Sequence, residues 1–331
     1  MLPPLAAAAL AVVAMLAVQG CDPTQVTSST HPDITIAGAE GIYQTYLTTS
    51  DSAAEAGDSS TGLSNVTNAA WAVEHAQYTA LTNTGAPVTR YAYGTPTFYV
   101  PVVNNYPHWF LTVVPRHVLG DSESATTLMV FAKATASDSW ALAGAAGLSP
   151  GQSLPAIARD ARGYATALAT YDESVLLPPD VVGATQAAVA DEGPASEAAS
   201  EITDGPQTTG IYTQQTALSK AQAASGLDYS WLMAGAGFPV FTLRTAGGGA
   251  LVLYGMYLET TNEHPDATAG APIPIPADVS AQFTAPDQVS LHAVEANWTY
   301  EYAAIDPPST SSTAKATVIA ATGALTYARA S

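Results

Sequence analysis

The sequence predicts an α+β fold in two similar halves, each with helices packed on one face of a curved antiparallel sheet, and three observations lead there. Segments with apolar residues at helical spacing precede runs of short strands, and this order occurs twice. The strand runs are rich in aromatic and β-branched residues and are separated by Asn, Gly, Pro and Ser. One stretch, Val294 to Ala304, sets Val294, Ala296, Trp298, Tyr300 and Tyr302 in alternation with Glu295, Asn297, Thr299 and Glu301. That period of two is expected of a half-buried antiparallel strand. Trp298, Tyr300 and Tyr302 would then face helices, and Glu295, Asn297 and Glu301 would face water.

The chain opens on an apolar, small-residue run from Leu5 to Gly20 that stops at Cys21. Its length suits the core of a signal peptide better than a membrane span. Leu16-Ala17-Val18-Gln19-Gly20-Cys21 resembles a bacterial lipobox, with Val18 three positions before the cysteine and Gly20 next to it. Gln19 and the absence of Lys or Arg from MLPPL depart from that pattern, and an uncleaved anchor helix is the alternative. Cys21 is the single cysteine, so no intramolecular disulfide can form. The resemblance implies a lipid on Cys21, a diacylglyceryl group with palmitate-type chains, and two or three such chains hold a membrane stably. The expected organisation is a signal peptide over 1–20, a polar tether over 21–32, a first half over 33–176 and a second over 177–331.

In the first half, Ile36, Ala39, Tyr43 and Leu47 predict a helix behind Asp33 as its cap. A second helix over Ser64 to Thr82 sets Trp71, His75, Tyr78 and Leu81 on one face and stops at Gly85. Strands follow in TRYAYG, TFYVPVV, HWFLTVV, TLMVFAKA and SWALAG, with Asn104-Asn105 marking a hairpin. Ile157, Ala161, Tyr164 and Leu168 then predict another helix, and LLPPD at 176–180 a joint.

The second half repeats the order. Helical segments near Val181 to Ser200 and Ile211 to Ser225 precede strands in FPVFTLRT, ALVLYGMYLETT, HAVEANWTYEYAAI, AKATVIAA and ALTYARA. Phe98, Val100, Leu111 and Val113 align without a gap on Phe241, Leu243, Tyr254 and Met256, as a duplicated hairpin would. The architecture is similar to tandem NTF2-like or cystatin-like cone folds, which imply a pocket on the concave face where a plain α+β sandwich would not.

The residues Tyr99-Val100-Pro101, Tyr106-Pro107-His108-Trp109-Phe110, Leu154-Pro155-Ala156-Ile157-Ala158, Gly163-Tyr164-Ala165 and Leu243 to Val252 resemble a family of uncharacterised actinobacterial lipoproteins. That family is grouped under a domain of unknown function. The matching residues are of packing and turn type, so the resemblance implies a lipoprotein and no activity.

Chemistry is sparse. Nine Lys+Arg stand against 28 Asp+Glu, a net charge of -19, which disfavours nucleic acid as a partner because few cations can meet phosphates. Gly147-Leu148-Ser149-Pro150-Gly151 fits the nucleophile-elbow pattern, but Pro150 lacks the N–H an oxyanion needs, so the segment predicts a turn. The six histidines have no zinc-ligand spacing, the carboxylates form no calcium loop, and no glycine-rich phosphate loop is present. No catalytic residue, metal or cofactor is therefore assigned. The candidate pocket residues are Trp71, His75 and Tyr78, with Tyr106 and Trp109 able to line an exposed patch.

The function expected from these features is a lipid-anchored extracytoplasmic binding or interaction module without catalysis, held on the outer face of the bacterial cytoplasmic membrane. Its partners would be the membrane, through Cys21, and an envelope protein, a glycan or a small molecule. A small-molecule-binding lipoprotein using the concave pocket and an enzyme whose site assembles only in space are the alternatives.

Overall fold

The computed structural model describes residues 34–265, 271–283, 292–311 and 313–331. The expected signal segment, Cys21, the tether and Asp33 lie outside the described residues. Helix α1 (Ile36–Ala56) is capped instead by Thr35, whose hydroxyl accepts the Gly38 N–H at 3.0 Å. After the short α2 (Ser59–Leu63), α3 (Asn68–Thr84) ends on Gly85 at φ 75°, the left-handed cap its glycine predicts.

Five strands follow: β1 (Tyr91–Tyr93), β2 (Thr97–Tyr99), β3 (His108–Val118), β4 (Ala125–Lys133) and β5 (Ala141–Gly147). All five lie where the sequence places them. They pair antiparallel in the order β1-β3-β4-β5, with β2 also on β3. In the second half come α4 (Val182–Glu192), α5 (Thr209–Ala224), β6 (Asp228–Gly235), β7 (Phe241–Arg244), β8 (Ala250–Glu263), the single-turn α6 (Ala277–Ser280), β9 (Ala293–Asp306) and β10 (Thr317–Ala330). Their order is β6-β8-β9-β10, with β7 also on β8.

The fold is thus α+β in two halves, and both sheets have the same strand order. The ungapped hairpin match does not survive. Phe98 stands opposite Thr112 while Phe241 stands opposite Leu253, so the second hairpin is two residues shorter. A shift of two keeps every side chain on its own face, which is why the hydrophobic pattern conceals it.

Four layers result. Phe110, Val114, Met129 and Phe131 on one face of the first sheet pack against Tyr43 and Tyr46 of α1 and Ala70 of α3. Trp109, Leu111, Leu128 and Val130 on its other face meet Phe241, Leu243, Leu251, Leu253 and Ala303 of the second sheet. The far face of that sheet, with Val252, Tyr254, Met256 and Tyr302, is covered by α4 and α5 through Val182, Val189 and Ile211. Helix α3 reaches past β5 onto β9 and β10 and so lies over the seam between the sheets.

This layering corrects the expectation for β9. The alternation is real, and Trp298, Tyr300 and Tyr302 do pack on the helix side. The opposite face is not wet, because the first sheet and α3 cover it: Thr299 is fully buried and Glu301 is 5 % exposed. Only towards the strand's start does the acidic face meet solvent, where Glu295 pairs with Arg329 at 2.6 Å.

Three further expectations change. Residues 156–168 form no helix. The Asp160 carboxylate accepts the N–H groups of Arg162 and Tyr164, both at 2.9 Å, and Gly163 turns the chain at φ 89°. The segment then runs extended along β7, with Ala158 N–H donating to Arg244 and Leu168 N–H to Thr242, while Ala165 N–H reaches Val100. It therefore ties the two sheets together. Strand β6 was not foreseen, and AKATVIAA with ALTYARA forms one strand, β10, irregular in register between Val318 and Ala320 and between Leu325 and Tyr327.

Candidate functional site

A cavity of about 50 Å³ lies under α1 and α3, over the start of β1, the end of β3 and the seam with β9. It has room for about four waters or a small ion. On α3 the residues Ala70, Val73, Glu74 and Gln77 recur at helical spacing and line it, and α1 contributes Tyr46, Ser50 and Asp51. Gln77 also accepts the Thr89 N–H at 2.9 Å, fixing the approach to β1. Across the rim, Arg90 forks onto Asp51 with two contacts of 2.8 Å and reaches Glu55 at 2.8 Å. The guanidinium beside it holds the Asp51 carboxyl below its ordinary range.

Three ionisable side chains line its interior: Glu74 from α3, Arg116 from β3 and Glu301 from β9. None of the ion pairs formed among the described residues includes any of them. Arg116 instead lies with its guanidinium carbon 4.3 Å from the centre of the Tyr91 ring. Burial raises the Glu74 carboxyl above its usual range, and Arg116 pulls it partly back. Tyr93 is pushed up to about 12 by burial, with Arg116 again opposing.

Glu301 is the unusual member. Its Oε1 is buried and accepts no hydrogen bond. The carboxyl sits over Gly144 of β5, where a Cβ would stand 3.1 Å from Oε1, so the glycine makes its space. Burial pushes the carboxyl up to about 8, against opposing pulls from the Ala145 amide and Arg116 and a small further push from Glu74. At neutral pH Glu301 is therefore mainly protonated. Behind it lies a second void of about 30 Å³, walled by apolar side chains between the sheets, among them Leu128, Phe241 and Leu253.

The residues foreseen from sequence are not the ones that meet here. Trp71 is 44 % exposed and stacks on His75, with ring centres 4.7 Å apart and planes 18° from parallel, on the outer side of α3. Tyr78 is buried, and with His75 it lines a separate outer groove near Asn83 and Phe283. The inward face of α3 is displaced by one residue, about 100° of helix, from the face that aromatic spacing singles out. Trp109 does not line a surface patch. It is buried against Phe241 with ring centres 5.2 Å apart, and Tyr106 alone is exposed. Ser149 lies in a turn closed by the Gln152 N–H on its carbonyl at 3.0 Å, with Gly151 at φ 80°, and no helix follows.

The sequence reading gives no site role to Glu74, Arg116 or Glu301: Glu74 stands there only as a neighbour of His75 about 100° around the helix, and Glu301 as a residue facing water. Glu301 alternates with aromatics behind Asn297 and Thr299, and that polar stripe reads as a solvated face. Among the described residues no group of three or more His, Cys, Asp or Glu could hold a metal ion, and no helix is long and apolar enough to cross a membrane.

A family model described as a domain of unknown function, DUF8094, matches residues 30–330. Neither a curated protein nor a solved structure matches the chain. With that model spanning both halves and the cavity between them, the chain belongs to the DUF8094 family.

Proposed function

We propose that this chain is a lipid-anchored extracytoplasmic binding module that performs no chemistry of its own and holds a small molecule in the cavity around Glu74, Arg116 and Glu301. The observation that carries the reading is Glu301, a buried carboxyl whose Oε1 has no partner. An unsatisfied buried acid costs stability, and an apolar residue of similar size would serve the core better. Such costs concentrate where a ligand supplies the missing partner. The tether to a membrane rests on the apolar run ending at the single cysteine, Cys21. The exposed Trp71–His75 stack favours a second contact, with an envelope protein or a glycan, because aromatic faces on a surface suit such partners.

The test is a thermal-shift screen of the mature chain against small charged and neutral metabolites, repeated with Glu301→Gln. Hits should appear with the parent chain and vanish with the variant. Hits indifferent to Glu301, or none at all, would contradict the proposal. In cells, Cys21→Ser should move the protein from the membrane fraction to the soluble one, and retention of the variant on membranes would contradict the anchor.

A further inference from the structure

The cavity's contents point to the class of ligand, and this step rests on the binding reading above. The interior holds two carboxyls, Glu74 and Glu301, against one guanidinium, Arg116. With all three ionised the cavity lacks one positive charge. At the rim, Asp51 and Glu55 against Arg90 leave one further negative charge. The lining includes Tyr46, Tyr91 and Tyr93, aromatic side chains of the kind that attract cations, and the Tyr91 ring already carries Arg116. A multivalent metal ion suits the site poorly, since two carboxyls are too few for its usual oxygen shell and Arg116 repels it. A neutral ligand that donates to Oε1 would leave Glu301 protonated, whereas a cation draws it into the carboxylate form.

We infer that the cavity takes a small organic cation carrying a primary ammonium group, which donates to the carboxylate of Glu301 and rests against the tyrosine rings. Glu74 and Arg116 balance each other beside it. Because Glu301 is mainly protonated in the empty protein near neutral pH, binding must move its proton to solvent as the carboxylate forms. Tyr93 and Tyr46 remain neutral throughout, since burial raises both.

Calorimetry with methylammonium chloride, in two buffers of different ionisation enthalpy at pH 7, tests this, with potassium acetate and glycine as parallel probes. Methylammonium should bind and release close to one proton per site. Glu301→Gln should fold, should bind at least about tenfold more weakly, and should release no proton. Glu74→Gln should weaken binding while keeping the proton release. Acetate binding that depends on Arg116 would overturn the inference while leaving a ligand cavity in place, as would glycine binding without methylammonium binding. Failure of methylammonium to bind overturns the inference, and the metabolite screen then decides separately whether the cavity binds anything.

Discussion

Glu301→Gln should stabilise the protein, and by more as pH rises. The folded carboxyl titrates at about 8, above the 4.5 of an ordinary glutamate. Between those values the unfolded chain has lost the proton and the folded chain keeps it, so the stability held below pH 4.5 is lost as pH climbs through the folded value. A displacement of that size is worth about 5 kcal/mol once the group ionises in both states. Glutamine cannot ionise and removes the loss. Asp306, fully buried and pushed up to about 7 by burial, with the Leu177 amide opposing, adds a slope of the same sign that ends lower. It is present in both proteins and cancels from their difference, which grows between pH 4.5 and 8 and is largest above that. Urea unfolding should give nearly equal stabilities at pH 4 and a variant stronger by about 4–5 kcal/mol at pH 9. A variant weaker than the parent at pH 9 would show that the carboxylate makes a favourable contact in the folded state.

Trp109→Ala should be among the most damaging single changes, with a loss of about 3–5 kcal/mol. Trp109 is 6 % exposed and meets Phe241 in the core that the two sheets share with Leu111, Leu251 and Ala303. The cavity left behind opens on both sheets, so both halves should lose stability in one transition. Tyr106→Ala, three residues earlier and 42 % exposed, should change stability by less than about 1 kcal/mol. Denaturant unfolding followed by tryptophan fluorescence and by far-ultraviolet circular dichroism measures both effects. Two separated transitions in Trp109→Ala, with the second half unaffected, would contradict a shared core.

Much of the fold was legible because its elements carry strong local signals. Gly85 ends α3 in the left-handed conformation its position suggests, and the five strands of the first sheet stand where aromatic and β-branched runs place them. What failed was information that only neighbours supply. The spacing of Ile157, Ala161, Tyr164 and Leu168 suits a helix, yet Asp160 and Gly163 turn the chain and the edge of β7 captures its N–H and carbonyl groups. Strand β6 escaped notice because it lies half exposed, with Asp228, Ser230 and Gly235 diluting the pattern. Strand β10 read as two pieces because Gly323 interrupts it, although the glycine is there to admit the ring of Tyr300.

The candidate site was hidden for the same reason. An acid alternating with aromatics reads as a solvated strand face, and nothing in β9 itself tells that a second sheet and α3 cover Glu301. The aromatic stripe on α3 drew attention to Trp71 and His75, while the face of that helix that lines the cavity carries small residues and one acid, Ala70 and Glu74. Bulky apolar spacing marks where a helix can be buried. It does not mark which flank of the buried stripe borders a void.

The most direct measurement is the titration of Glu301 itself, by carbon NMR of the glutamate side-chain carboxyls with the signal assigned by its loss in Glu301→Gln. In the empty protein the Glu301 signal should titrate at about 8. With saturating methylammonium it should move down into the ordinary carboxylate range, as a carboxylate gaining a cationic partner must. A Glu301 signal that titrates in the ordinary range without any ligand would contradict the account, since the carboxyl would then already have the partner that the cavity is argued to lack.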